Sequence, residues 1–83
     1  MRRPAIASLL NRLSRAHHGR AVLLALGRST QPEDVEIAAT RTRLTAQGLT
    51  PIELAALEAE MRETAERLRR ALTKNRRRRP RRA

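Results

Sequence analysis

The chain of 83 residues contains no cysteine, tryptophan, tyrosine or phenylalanine. Without cysteine, a disulfide scaffold and a cysteine-based zinc site are excluded. Without aromatic rings, the chain has no platform for base stacking and no aromatic belt for a membrane interface. The longest apolar run covers only residues 21–26, whereas a membrane-spanning helix needs roughly 20 apolar residues. The sequence therefore predicts no membrane span.

Acidic residues are absent from both ends. Residues 1–32 hold six arginines and no acid, and residues 67–83 hold nine arginines and Lys74 and no acid. All eight acids lie in residues 33–66, and the net charge is +11. A codon bias can explain why arginine outnumbers lysine, but it cannot explain two acid-free ends. This distribution predicts a polyanionic partner, most simply nucleic acid.

The hydrophobic residues are alanine, aliphatic residues and two methionines, and they make up 40 % of the chain. Runs of alternating β-branched residues are missing, and the abundant Ala, Leu, Glu and Arg favour helices. We predict an all-α fold in which a helical hairpin follows an N-terminal helix. The predicted boundaries are a basic segment 1–29, a hairpin 30–74 and a disordered arginine-rich tail 75–83. A chain this small buries only about 60 % of its unfolded surface, so it is expected to need a second copy or another partner.

The N-terminal helix is predicted to begin near Pro4 and to break or bend at residues 18–19. A short helix over residues 20–26 would follow, and Gly27 would end it in the left-handed conformation. The apolar face before the break consists of Ile6, Leu9, Leu10, Leu13 and His17.

Two capping boxes are predicted, one from Thr30 to Glu33 and one from Thr50 to Glu53. Pro51 would occupy the first turn of the second of these helices. Between the helices, Gly48 is expected to adopt a left-handed conformation, and residues on both sides of the second cap, Leu49 and Leu54, should form a hydrophobic staple.

The middle helix is apolar on two sides, which predicts that it is sandwiched. One side has Ile37 and Leu44, expected to face the N-terminal helix or a second chain. The small residues on the other side, expected to face the last helix, are Val35, Ala39, Thr42 and Ala46.

The last helix has a narrow apolar seam like that of a coiled coil. The seam, predicted to join two copies of the chain or to meet a partner, consists of Leu54, Leu57, Met61, Ala65, Leu68 and Leu72. Favourable i,i+4 ion pairs are predicted for Glu58–Arg62, Glu63–Arg67 and Glu66–Arg70.

Residues 73–82 are similar to the arginine-rich motifs of viral and phage RNA-binding peptides, which implies contact with phosphates. A solvated run without function and a nuclear-localisation address are the alternatives. Residues 46–55 have the look of a helix-turn-helix turn, but the acids of the following helix would be repelled by DNA. Residues 1–29 resemble a mitochondrial presequence in composition, and a basic amphipathic helix can also lie on anionic lipid.

Nothing in the sequence indicates catalysis, a cofactor or a metal. The serines and threonines lack a nucleophile context, and the adjacent residues His17 and His18 point about 100° apart on a helix. We expect His17 to be partly buried on the leucine face and His18 to be exposed.

The predicted function is non-catalytic nucleic-acid binding, to DNA or RNA, by a cytoplasmic or nucleoid-associated protein that forms a homodimer. The alternative is a small phage- or plasmid-type regulator or inhibitor that docks its helices on an acidic or nucleic-acid-binding protein. The residues predicted to contact phosphates are Arg67, Arg69, Arg70, Lys74, Arg76, Arg77, Arg78, Arg79, Arg81 and Arg82, followed by Arg12, Arg15 and Arg20.

Overall fold

The computed structural model describes residues 3–78, and their side chains as far as residue 75. Three helices make up this part of the chain, α1 (Pro4–Ala25), α2 (Gln31–Ala46) and α3 (Pro51–Arg78). No strand occurs within residues 3–78, so the predicted all-α class is confirmed for them. None of these helices is long and apolar enough to cross a membrane.

The first helix holds the other two together. α1 contacts both α2 and α3 extensively, whereas α2 and α3 make few direct contacts with each other. The core contains residues of all three helices and of the α2–α3 turn: Leu13, Ala16, Ile37, Leu44, Leu49 and Leu54. The side chains that pack around this core are Ile6, Leu9, Leu10, Leu57 and Met61.

The predicted sandwiching of α2 is wrong. Its buried residues, Ile37, Thr40 and Leu44, all lie on one side, and α1 covers that side. The side with small residues faces solvent instead: its exposed residues are Ala39, Thr42 and Ala46, together with Val35, which is 62 % exposed. Short side chains on that side have no helix against them because α3 packs on α1 instead.

The predicted break at residues 18–19 is also wrong, because α1 is continuous to Ala25. The side chain of Glu33, in the first turn of α2, lies close to Gly19: a Cβ atom added to this glycine would be 2.6 Å from the Glu33 carboxylate. Since α1 packs against two helices, it buries a broad side rather than one stripe. The pattern therefore does not degrade after His17 but shifts toward Ala21 and Ala25, which are buried.

Both helix ends marked by glycine are as predicted. Gly27 (φ 70°) and Gly48 (φ 97°) are left-handed. After α1, Arg28 N–H donates to the Leu23 carbonyl at 2.8 Å, and after α2, Leu49 N–H donates to the Leu44 carbonyl at 3.2 Å. These 6→1 hydrogen bonds define Schellman motifs.

Only one of the two predicted capping boxes forms. At α3, Glu53 N–H donates to Thr50 Oγ1 at 3.2 Å and Thr50 N–H donates to the Glu53 carboxylate at 3.3 Å. At α2, Thr30 is the N-cap residue but its side chain makes no capping bond, because its backbone (φ −91°, ψ 2°) is not in the extended conformation of a capping residue. Its hydroxyl donates to Asp34 Oδ2 at 2.8 Å. The staple between Leu49 and Leu54 is confirmed, since both residues belong to the core.

The last helix is longer than predicted. α3 continues to Arg78, so residues 75–78 of the predicted disordered tail are helical, which suits a run of good helix formers ahead of Pro80. The prediction for residues 79–83 lies outside the described residues.

Much of the predicted seam faces α1 rather than a second chain. Leu54 and Ala65 are 8 % and 6 % exposed, and Leu57 and Met61 pack against the core. Leu68 and Leu72, beyond this part, are half-buried.

Candidate functional site

Three exposed cations follow one another along the C-terminal half of α3. The side chains of Arg67 and Arg70 are 74 % and 75 % exposed, and Lys74 is exposed as well. Spacings of three and four residues place these positions on the same side of a helix. α3 therefore presents a row of positive charge to solvent.

Acids of the same helix turn hold part of this row in place. Arg67 pairs with Glu63 at 2.6 Å and Arg70 with Glu66 at 3.2 Å, which confirms two of the three predicted i,i+4 pairs. Arg69 also binds Glu66, at 2.5 Å. The hydrogen bond from Arg69 lowers the pKa of Glu66 to about 2, so this carboxylate stays ionised at neutral pH.

The N-terminal arginines have a different geometry. Arg12 pairs with Glu36 at 2.8 Å and Arg20 pairs with Asp34 at 2.8 Å, so both connect α1 to α2. Arg15 is exposed. Among these predicted phosphate contacts, Arg20 is brought near α3, since it lines the same cavity as Arg69.

Of the remaining predicted phosphate contacts, three have a described backbone but undescribed side chains: Arg76, Arg77 and Arg78 lie in the last turn of α3. The other three lie outside the described residues: Arg79, Arg81 and Arg82.

A buried ionic junction connects all three helices, and sequence reasoning missed it. Glu58, on α3, has a side chain only 5 % exposed. Its Oε2 lies 2.7 Å from His17 Nε2 on α1, and its two oxygens accept hydrogen bonds of 2.5 and 2.8 Å from Arg41 on α2. The bidentate pair with Arg41 is the strong form of a carboxylate–guanidinium contact.

The junction keeps Glu58 ionised. Burial raises the pKa of Glu58, but hydrogen bonds from Arg41 and His17 outweigh it, and the pKa lies below the ordinary value. Because a carboxylate can only accept, His17 donates from Nε2. The hydrogen bonds between Arg41 and Glu58 in turn raise the pKa of Arg41. This arrangement compensates the buried charge and fixes the three helices in register.

The predicted pair between Glu58 and Arg62 is wrong, because Glu58 points into the junction. The i,i+4 rule treats both residues as surface residues of a single helix, and here the tertiary partners prevail. A carboxylate at position 58 beside the core positions Leu54, Leu57 and Met61 was the available signal. A buried acid needs a cationic partner, and His17 on the leucine face was a candidate.

An open cavity of about 550 Å³ lies beside the junction. Its walls include four arginines, Arg20, Arg41, Arg62 and Arg69, and two acids, Asp34 and Glu66. Between the charged rims lie the apolar residues Ala21, Leu24, Ile37 and Ala65. No group of three or more side chains that could hold a metal occurs in residues 3–75.

Comparison with known proteins gives no relative for this chain: no family model, no curated protein and no solved structure matches it.

Proposed function

We propose that the protein is a non-catalytic nucleic-acid-binding protein whose principal contact element is the C-terminal half of α3 with the arginine-rich residues that follow it. The observation that carries the proposal is the continuation of α3 to Arg78. Arg69 is the last residue of α3 that lines the cavity against α1. The helix then extends nine more residues, or roughly 14 Å, and it does so in the segment with the highest density of positive charge.

The charges of this segment are suited to phosphates. Arg67, Arg70 and Lys74 point to solvent, and the acidic partners of the two arginines lie in their own helix. Exposed pairs of this kind are weak, about 0–1 kcal/mol, so a phosphate can replace the carboxylate at little cost. Contacts from guanidinium groups to phosphates give affinity without reading the base sequence.

Truncation after Asn75 tests the proposal. It removes Arg76 to Arg79, Arg81 and Arg82, and only three described helical residues. On duplex DNA, the slope of log K against log salt should become shallower by about 0.9 for each phosphate that the shortened chain no longer binds. Mobility shifts over a salt series, with DNA and RNA probes of equal length, measure this slope.

The matched control replaces Arg43, an exposed arginine of α2, with glutamine. We expect Arg43→Gln to change the salt slope by less than about 0.5, which is roughly half of the value for one phosphate. If the truncated chain binds with unchanged affinity at moderate salt, the C-terminal segment is not the principal binding element and the proposal is wrong.

We also propose that two copies of the chain associate through the part of the seam that lies beyond the core. Leu68 and Leu72 are partly exposed, unlike Leu54 and Ala65 of the same seam, and lie next to the basic segment. Two linked basic segments bind a polyanion more tightly than one. Leu68→Asp should therefore both dissociate the dimer and weaken nucleic-acid binding, while light scattering that shows an unmodified monomer at tens of micromolar would refute the dimer.

A further inference from the structure

We propose that the cavity between α2 and α3 is a docking groove for an acidic amphipathic helix of a partner protein. This inference goes beyond nucleic-acid binding and does not depend on it. Near the turn, the contact between Arg41 and Glu58 joins α2 to α3. Beyond that contact the two helices have few contacts with each other, and α1 forms the floor of the space between them.

The dimensions of the groove suit one side of a helix. The residues that α1 contributes run from His17 to Leu24, which is about 11 Å or two helical turns. The volume of about 550 Å³ lies in the range of cavities that bury a ligand or a group of side chains. A helix laid along the floor would insert apolar residues at positions i, i+3 or i+4, and i+7.

The floor offers apolar surface to such residues. Leu24 lines the cavity and is 43 % exposed, although it lies in a helix that packs on both sides. Beside it are the short side chains of Ala21 and Ala65, which leave room for larger side chains from outside. Burial of apolar area against this floor provides the non-polar part of the binding energy.

The rims determine the sign of the partner's charge. Arg20, Arg41 and Arg69 each bind a carboxylate of this chain, so carboxylate is the group that the rim geometry already accepts. Arg62 is exposed, lines the cavity and makes no ion pair within the described residues, so it is a cation available to an incoming carboxylate. Asp34 and Glu66 are about half exposed, which makes their pairs weak and exchangeable.

Two other occupants fit less well. The apolar floor gives nucleic acid neither hydrogen-bond donors nor aromatic rings for stacking. The proposed contact between two copies lies at Leu68 and Leu72, which do not line the cavity.

The experiment uses the full chain and a fluorescent 16-residue peptide with leucines at i, i+3, i+7 and glutamates on either side of them. A scrambled peptide of the same composition controls for bulk charge attraction to the arginine-rich segment. We expect tighter binding of the patterned peptide and nitrogen-15 NMR shifts centred on Ala21 and Leu24. Leu24→Asp should weaken binding by about tenfold or more. Val22→Asp, at 37 % exposure on the same helix but outside the cavity, should change it by less than about twofold.

A second matched pair, Arg62→Gln and Arg43→Gln, leaves the apolar residues unchanged. Arg62→Gln should reduce the affinity for the patterned peptide several-fold, whereas Arg43→Gln should not. The proposal is overturned by equal binding of the scrambled peptide, or by equal reductions in affinity within either pair. It is also overturned if Leu24→Asp reduces the affinity for duplex DNA or RNA more than that for the peptide, which would indicate nucleic acid. If the chain forms a dimer and Leu24→Asp dissociates it, the occupant of the groove is a second copy of the chain, and the proposal is wrong.

Discussion

Arginines in the two halves of the molecule are neutralised in different ways. In the bundle, Arg12, Arg20 and Arg41 bind acids that belong to another helix, so each pair connects two elements. In the C-terminal half of α3, Arg67 and Arg70 bind acids of their own helix. The first group connects helices and so contributes to the fold, whereas the second connects residues of a single helix. Under the proposed function, the second group can exchange its acids for phosphates without loosening any contact between helices.

The largest effect is expected at the junction. Glu58→Gln removes the charge that Arg41 and His17 face. Because the Arg41 side chain is 43 % exposed, water can solvate the cation that remains, and we expect a loss of about 1.5–3 kcal/mol, the range for a hydrogen bond to a charged group. A domain of this size has a total stability of only about 4–12 kcal/mol. Urea denaturation followed by circular dichroism measures the change, since the chain lacks fluorescent aromatic residues.

The control is Glu60→Gln, at an exposed position of the same helix. It should change the free energy of unfolding by less than about 0.5 kcal/mol. Equal effects of the two substitutions would mean that the junction does not hold the bundle together.

Acid should destabilise the bundle through the same residue. The folded-state pKa of Glu58 lies below the ordinary value of 4.5, so its contribution is fully present above that pH. The contribution disappears as the pH falls from about 4.5 through the folded-state pKa, because the unfolded chain then binds the proton more readily. Unfolding free energies measured between pH 6 and pH 2 should show this decrease, and the curve for Glu58→Gln should be flatter. Parallel curves would contradict the assignment.

Local features of the fold were predictable from the sequence, and features set by a tertiary partner were not. The turn at Gly48 and the capping box at Thr50 involve residues at most five positions apart, and both form as predicted. The cap expected at Thr30 does not form because the backbone of Thr30 (φ −91°, ψ 2°) is not extended there, a conformation that the local residue pattern does not reveal. In the sequence, Gly19 resembles a helix break. Only the structure shows that the helix continues and that the side chain of Glu33 lies against this glycine.

The candidate sites divide in the same way. A run of basic residues after the last acid is a property of composition, so the basic segment was visible at once, and only the extent of its helix was underestimated. The junction depends on residues 17, 41 and 58, which are far apart in the chain. No spacing rule connects such residues. The groove likewise arises from α1 lying between α2 and α3, an arrangement that hydrophobic periodicity does not determine.

Gly19→Ala should stabilise the bundle moderately, whereas Glu58→Gln destabilises it. Alanine is favoured over glycine inside a helix by about 1 kcal/mol. The added Cβ atom would meet the end of the Glu33 side chain, which is flexible and can move aside. We expect the free energy of unfolding to rise by about 0.5–1 kcal/mol. A decrease of similar size would show that α1 bends at this position and that the contact with α2 is rigid.

The smallest change in global stability is expected at Ala71, and its comparison with Ala59 separates the two halves of α3. Ala59 and Ala71 are both exposed residues of this helix, but Ala59 lies beside the junction and Ala71 lies beyond the cavity. Ala59→Gly should lower the free energy of global unfolding by about 1 kcal/mol. Ala71→Gly should leave it almost unchanged, because the far end of α3 opens locally without the bundle; it should instead reduce the helical signal at 222 nm before the main transition. Amide hydrogen exchange of residues 70–75 gives the same comparison residue by residue. Equal decreases in global stability would mean that the end of α3 is part of the cooperative unit, and the basic segment would then be a rigid extension of the bundle rather than an independently ordered one.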